Sequence, residues 1–197
     1  MPFKTWSPGD VLTAADVNAY LMRQTKAVCT SGSRPSSPVT GQEIFETDTK
    51  QTNRWDGTAW RLWPPVPVQF DESTIFTFTN TTYAAGATQC SGTFVAGPAG
   101  VAVVTAQSNL QAAAGGYGLV SFEIRTGTTS SDPLFLAAVD NNAFGVQDIY
   151  NNQAGMTTVV TGMTGGTTYF IRTMHRSITG GTGTINFRRL VVIPWAN

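Results

Sequence analysis

The sequence predicts a mainly β protein with a short N-terminal helix, a small β-hairpin module and a C-terminal jelly-roll-like β-sandwich. Short apolar runs alternate with turn-forming residues from about residue 69 to residue 197, which is typical of sandwiches and barrels. A Trp-rich segment at residues 42–63 contains an Asp56-Gly57 turn, the dipeptide favoured in tight hairpins. Only the first 30 residues combine a helix start signal with a helical spacing of apolar residues.

Residues 1–30 form the first predicted part, a turn and a helix for attachment or trimerisation. Thr13 followed three residues later by Asp16 is typical of a capping box and predicts a helix over about 14–27. The candidate seam positions step by three or four residues: Ala14, Val17, Leu21, Gln24 and Val28. Such a stripe packs either on its own domain or against other copies. The polar Gln24 favours other copies, since one polar seam residue fixes register and copy number.

Residues 31–68 form the second predicted part, a linker followed by the Trp-rich hairpin. Residues 31–38 are rich in Ser and Pro, which is typical of a linker. The candidate core side chains of the hairpin are Phe45, Trp55, Trp60 and Trp63. Because an isolated two-stranded hairpin is marginally stable in water, we expect this module to pack against another domain or other copies.

Residues 69–197 form the third predicted part, the sandwich. The candidate strands are Ile75–Phe78, Gln89–Phe94, Gly100–Asn109, Gly118–Thr126, Leu134–Val139, Gln147–Asn151, Met156–Met163, Thr168–His175 and Thr184–Ile193. Residues 101–106 are apolar on both faces, which predicts a central strand covered on both sides. Residues 169–176 have no purely apolar face, which predicts a strand near a subunit boundary.

Composition argues against several classes of partner. Charged residues make up 12% of the chain, against about 25% in typical soluble domains. The net charge is zero, so nothing favours nucleic acid or an anionic membrane. The sequence shows no apolar run long enough to span a bilayer and no signal peptide, so membrane insertion is not expected. A weakly charged surface favours subunits that pack against one another.

The residue pattern predicts no catalysis, cofactor or metal site. The single histidine, His175, is accompanied by no nucleophile elbow, so we expect a structural or solvent role for it. Cys29 and Cys90 with one histidine do not make a zinc site, and they lie in different predicted modules. The acidic residues of the third part are scattered and show no paired arrangement.

A glycan site is the remaining possibility that the residue types suggest. Sugars are held by aromatic faces with amide and carboxylate side chains around them, and residues 140–153 concentrate those types. The candidate contacts are Asn141, Asn142, Phe144, Tyr150 and Asn152. The alternative interpretation is that the Asn residues form turns and that Phe144 and Tyr150 belong to the core.

Residues 34–63 resemble a module of bacteriophage fibre and tail proteins. The resemblance is carried by the Pro-rich residues 34–38, by Gly41-Gln42, by IFETDT at 44–49 and by WDGTAW at 55–60. Residues 8–18 (PGDVLTAADVN) look like the opening of many phage fibre and minor tail proteins, where this end attaches to the particle or starts the trimer. Residues 92–101, 122–125 and 188–194 resemble, more weakly, the trimeric sandwich heads of phage fibres, which are similar in outline to the C1q and tumour-necrosis-factor heads.

The resemblance implies a homotrimeric phage virion structural protein, a short fibre or minor tail protein attached by its N-terminus. Its sandwich head would serve assembly or host-surface binding, with other tail or capsid proteins and a host surface glycan as partners. It would be made in the host cytoplasm and released by lysis. A capsid fibre or decoration protein is the alternative, because 197 residues are few for a reaching fibre. A stand-alone lectin-like module is a second alternative.

Overall fold

The computed structural model describes residues 7–17, 26–114, 116–147 and 150–195. Contacts divide the chain into two compact units, Met1–Val66 and Pro67–Asn197. The predicted mainly β class is confirmed, since the described residues form fourteen strands, one three-residue α-helix and short 3-10 turns. The 3-10 turns include Ser31–Ser33 and Asp140–Asn142.

The helix start predicted at Thr13 is present. Helix α1 spans Ala14–Asp16, and Thr13 is its N-cap. The Asp16 N–H donates to Thr13 Oγ1 at 3.1 Å, and the Thr13 N–H donates to Asp16 Oδ2 at 3.4 Å. These two bonds satisfy backbone groups that a helix end leaves without partners. Ala14 is exposed and Val17 is half-buried, whereas Leu21 and Gln24 fall outside the described residues.

The helix does not extend to Ala27, because residues 27–29 are a strand. Strand β1 (Ala27–Cys29) pairs in parallel with β2 (Glu43–Glu46), and Val28 lies opposite Phe45. Val28 is therefore not on a helical seam, and 68% of its surface is exposed. The Thr47 N–H also donates to the Cys29 carbonyl at 2.9 Å, which continues the pairing beyond the strand. Backbone pairing with a distant strand has overridden the local helical spacing.

The predicted two-stranded hairpin is part of a four-stranded sheet in order β1-β2-β3-β4. Strand β3 spans Gln51–Trp55 and pairs antiparallel with both β2 and β4 (Trp60–Leu62). The turn that begins at Asp56 joins β3 to β4, with Gly57 at a φ of +105°. Trp55 and Trp60 lie directly opposite each other in the register. Residues of the first and second predicted parts therefore share one sheet.

The second unit is a sandwich of two sheets. Its strands are β5 (Val68–Glu72), β6 (Phe76–Phe78), β7 (Ser91–Val95), β8 (Val101–Ala112), β9 (Gly118–Thr126), β10 (Leu134–Leu136), β11 (Ala143–Val146), β12 (Asn152–Val160), β13 (Thr168–Ser177) and β14 (Gly183–Trp195). Sheet I has the order β12-β8-β14-β5, with β6 beside β14. Sheet II has the order β10-β9-β13-β7, with β11 beside β9. All these pairs are antiparallel, and the chain crosses repeatedly between the sheets, which is the predicted jelly-roll arrangement.

The hydrophobic core fills the space between the two sheets. Strand β8 alternates strictly between buried and half-buried residues, and its inward side chains include Ala102, Val104 and Leu110. Phe122 and Ile124 of β9 reach the core from sheet II. Gly92 of β7 provides room for a close approach between the sheets, because a Cβ there would lie 2.0 Å from the Phe70 ring.

The strand predictions differ from the structure in several places. The predicted strand Met156–Met163 is β12, which begins at Asn152 and ends at Val160, and the predicted Leu134–Val139 ends at Leu136. Strand β9 has the predicted bounds, whereas β5 was not predicted and completes one edge of sheet I. Residues 147 and 150–151 are not in a strand, and β11 forms earlier, at Ala143–Val146. Strand β13 lies between β9 and β7, with Tyr169 and Ile171 in the core, and its position near a subunit boundary stays a prediction.

Candidate functional site

The two tryptophans at the β3–β4 turn form a paired aromatic surface. The ring centroids of Trp55 and Trp60 are 5.5 Å apart, and the planes meet at 60°. Asp56 fixes the turn between them, since its carboxylate accepts from the N–H groups of Thr58 and Ala59, both at 2.7 Å. Burial opposes the charge on Asp56, but hydrogen bonds from Arg61, Ala59 and Thr58 outweigh it and hold the pKa of Asp56 well below its usual range.

The four side chains predicted to form the hairpin core are all partly exposed on this unit. Phe45, Trp55, Trp60 and Trp63 are each half-buried. The Arg54 guanidinium lies 5.2 Å from the centre of the Trp63 ring, a cation–π contact. Among the described residues up to Val66, Ile44 is the only hydrophobic side chain that is buried. The aromatic side chains therefore remain available to a partner surface.

A buried carboxylate, Glu46, holds the linker on this sheet, and sequence reasoning missed its burial. Glu46 is fully buried, and its Oε1 accepts from Arg34 Nε at 2.6 Å. Thr49 Oγ1 donates to Glu46 Oε2 at 2.8 Å. The bond from Arg34 is the main reason that the pKa of Glu46 is lowered. Thr49, three residues later, is the only nearby residue in the sequence that hints at the burial of Glu46. The charged partner, Arg34, lies twelve residues earlier.

A second carboxylate ties down the start of the linker. Asp48 accepts from the Ser31 N–H at 2.9 Å and from the Ser31 hydroxyl at 2.5 Å. These bonds lower the pKa of Asp48. Glu46 and Asp48 both belong to the segment 44–49. That segment thus fixes the path of residues 31–34, in addition to forming a strand.

The predicted glycan contacts do not converge on one cavity. Phe144 lies in β11 and packs in the sandwich core, so it is not a surface contact. Asn141 and Asn142 belong to a 3-10 turn, and the Asn142 carbonyl accepts from Ser121 Oγ at 2.5 Å. Tyr150 is 70% exposed, and its carbonyl accepts from Asn152 Nδ2 at 3.2 Å. Asn152 begins strand β12 and is paired with Leu110.

A shallow depression near Asn141 has its polar groups already paired with one another. Arg176 forms an ion pair with Asp140, and Tyr83 donates its hydroxyl to Asp140 Oδ1 at 3.0 Å. Burial, followed by the bond to Asp140, raises the pKa of Tyr83 to about 12. The Arg176 guanidinium also lies 5.5 Å from the centre of the Tyr83 ring. This cluster joins residues 81–83 to the turn at 140–142.

The single histidine lies inside the sandwich. His175 is 1% exposed, and neither ring nitrogen has a hydrogen-bond partner within the described residues. Burial, with a contribution from nearby Arg188, lowers the pKa of His175 to about 3. Its ring packs edge-on to Phe76, with centroids 4.8 Å apart. A neutral imidazole packed between the sheets is consistent with the structural role expected from the sequence.

Arg188 is a second buried polar group at the same end of the sandwich. It donates to the Thr88 carbonyl at 2.9 Å and to the Thr74 carbonyl at 3.0 Å. Its guanidinium lies 4.5 Å from the centre of the Phe76 ring. Burial lowers the pKa of Arg188, with the nearby Glu72 opposing the change. Arg188 thereby joins β14 to the segments on either side of β6.

Within the described ranges, no group of three or more His, Cys, Asp or Glu side chains is placed to hold a metal ion. Cys29 and Cys90 are free thiols, and burial raises the pKa of Cys90 to about 11.

No helix in the described part of the chain is long and apolar enough to cross a bilayer.

Comparison with solved structures gives a similarity to a viral chain. No protein-family model and no curated protein matches the chain. A chain in a solved structure titled "Structure of infectious bursal disease virus Gt strain" is similar over 82% of this chain, with 13% sequence identity and a TM-score of 0.44. The similar region covers 42% of that viral chain, so the present chain spans less than half of its length. The functional assignment therefore rests on the residues of the chain itself.

Proposed function

We propose that this chain is a structural protein of a bacteriophage virion, a homotrimeric short fibre or minor tail protein. Its first unit attaches to the particle, and its sandwich serves assembly or host-surface binding. Other virion proteins are its partners, and it acts without catalysis, cofactor, nucleic acid or membrane insertion. It reaches the virion from the host cytoplasm and is released by lysis.

The poor core of the first unit is the observation that carries this proposal. Ile44 is its only buried hydrophobic side chain among the described residues, while Trp55, Trp60 and Trp63 are half-buried. Small units depend on partners or staples when their own core is too small. A four-stranded sheet that displays three tryptophans is therefore suited to packing against another surface of the virion.

Both halves of the phage-like segment, residues 34–63, have a defined role in the local structure. Glu46 and Asp48 hold residues 31–34 on the sheet, and the WDGTAW segment forms the turn with the Trp55–Trp60 pair. The residues that carry the resemblance therefore also determine the local structure. This supports an attachment role for the first unit, as in the fibre proteins that it resembles.

The homotrimer is supported by composition and by the same resemblance. With 12% charged residues, the chain has few charges to keep a separate subunit soluble. Sedimentation of the purified protein should give three times 21.0 kDa. A stable monomer at micromolar concentration would exclude the trimer.

Cryo-electron microscopy of the particle tests the placement. Density for the 21.0 kDa chain at the tail is the expected result, with the first unit nearest to the particle. Density on the capsid would assign the alternative role of capsid fibre or decoration protein. Particles that contain no copy of this chain would overturn the virion assignment.

A lectin-like role is the second candidate, and the exposed Tyr150 favours it. Tyr150 is 70% exposed beside Asn151 and Asn152, and Asn141 is also exposed. Screening the purified protein on a glycan array, with Tyr150→Ala as the variant, tests this role. Binding that Tyr150→Ala abolishes supports a glycan site. Absence of binding, or binding that the variant retains, excludes a glycan site at Tyr150.

A further inference from the structure

The outward face of sheet I is broad, and no described residue of the second unit forms a layer over it. Strand β8 is central in this sheet, between β12 and β14. Its alternate residues from Val101 to Gln111 are half-buried, whereas the residues between them are buried in the core. The sequence predicted a strand covered on both sides. The structure shows one side covered by sheet II and the other accessible.

One end of this face is a continuous apolar patch. Its members are Val101, Val103, Val159, Val191, Ile193 and Trp195. The strand register places Val103 opposite both Val159 and Ile193, and Val101 opposite Trp195. Val159 is 61% exposed and Trp195 is 49% exposed. Contiguous exposed apolar patches of this kind mark interaction sites.

The rest of the face is mainly polar, with Phe187 beside Asn109, and it is almost uncharged. Asp71 and Arg189 are its charged side chains among the described residues, and they pair with each other, with Arg189 Nε 2.7 Å from Asp71 Oδ1. At the centre, the hydroxyls of Thr105 and Thr157 are 2.9 Å apart. The face therefore carries no unpaired charge that would repel an identical face.

The face is large enough for a stable contact between copies. Its four strands contain 12, 13, 9 and 5 residues. With about 3.4 Å per residue and about 4.8 Å between strands, it covers roughly 600 Å². A copy that covered this face would bury about 1,200 Å² over both partners, the lower bound for a specific protein interface.

We propose that the outward face of sheet I is the surface through which this chain contacts further copies of itself. The inference rests on the homo-oligomer of the proposed function and names the surface that forms it. A second copy is the occupant because the face has an apolar end and no net charge, and because its two charged side chains pair with each other. An acidic or basic partner would find no complementary charge there.

Two substitutions and a matched control test the surface by light scattering across a dilution series. Val159→Asp places a charge in the apolar patch, and Thr157→Lys places one at an exposed position beside it. Val95→Asp is the control, because Val95 is 46% exposed and lies at the edge of sheet II. We expect both test variants to raise the dissociation midpoint concentration at least tenfold, with the control unchanged.

The outcomes separate this inference from the proposed function. Circular dichroism first establishes which variants are folded, and Thr157→Lys retains the test if Val159→Asp does not fold. If the native chain is oligomeric and a folded test variant keeps its mass at every dilution, the surface assignment is overturned while the oligomer stands. A native dimer that both variants dissociate would support the surface and exclude the trimer. A native monomer would overturn both.

Discussion

Arg172 Nε lies 2.7 Å from Oε1 of Glu123, across the β9–β13 pair in which the two residues are register partners. The same oxygen accepts from Arg125 Nε, also at 2.7 Å. Glu123 is buried, and its one carboxylate pairs with two guanidinium groups on the outward face of sheet II. This arrangement explains why the mixed faces of β13 are compatible with a central strand.

Glu123→Ala should destabilise the sandwich by roughly 1–3 kcal/mol, because it leaves two largely buried cations without their partner. Asp140→Ala is the control, since Asp140 is 57% exposed in its pair with Arg176, lies outside sheet I and should contribute clearly less. Denaturant unfolding of both variants measures the difference. Equal free energies of unfolding for the two variants would contradict the assigned role of Glu123.

His175 should make the stability of the protein sensitive to acid. Burial lowers its pKa to about 3 in the folded chain, against about 6.5 in an unfolded chain. Between these values the unfolded chain binds a proton that the folded chain does not, so the free energy of unfolding decreases as the pH falls below 6.5. We expect a loss of about 2 kcal/mol between pH 7 and pH 5.

The matched variant for this pH dependence is His175→Gln, which removes the only histidine of the chain. Denaturant unfolding at pH 7, 6 and 5 should show a flat profile for the variant in this range. Since the lowered pKa values of the paired carboxylates affect stability mainly at lower pH, they should not hide the effect. An unchanged slope in His175→Gln would exclude His175 as its source.

Gly92→Ala should disrupt the close approach of the two sheets. A Cβ at Gly92 would lie 2.0 Å from the Phe70 ring, so β7 or β5 must move. We expect a loss of about 1–3 kcal/mol, typical of overpacking. Gly32→Ala is the control, because nothing lies within 4 Å of its added Cβ. The melting temperatures of the two variants measure this, and a normal value for Gly92→Ala would contradict the packing.

Glu46→Ala should release the linker from the sheet of the first unit. Arg34 would lose its 2.6 Å bond, and Thr49 would lose its acceptor. Hydrogen exchange over residues 30–50 should increase, with the sandwich unchanged. Glu43→Ala, one strand position away from the buried Ile44, is the control. Unchanged exchange in Glu46→Ala would show that the linker is held by other contacts.

The long strands were predictable because their signal is local. Strand β9 was located at its observed bounds, since residues 118–126 alternate apolar with polar side chains from Val120 onward and are bounded by the glycines at 116 and 127. The capping box at Thr13 and Asp16 was also predictable, because both partners lie within one turn. Such features need no knowledge of distant segments.

The missed features depend on partners far away in the sequence. Strand β5 contains Asp71 and Glu72 and follows a Pro-rich connector, and its pairing partner β14 begins more than 100 residues later. Strand β1 pairs with β2 in parallel, which its helical spacing does not reveal. The burial of Glu46 likewise depends on Arg34, so the alternation of residue types indicates only a charged surface position.

The position of β14 in sheet I sets the order in which the sandwich can fold. This strand lies between β8 and the edge strands β5 and β6, which it follows by more than 100 residues. During synthesis, β5, β6 and β8 emerge without the strand that joins them. Their pairing must therefore wait for residues 183–195, and closure of so long a loop makes folding slow. Until then, unpaired strand edges are exposed to aggregation, so chaperone binding to nascent chains that lack β14 is the expected consequence.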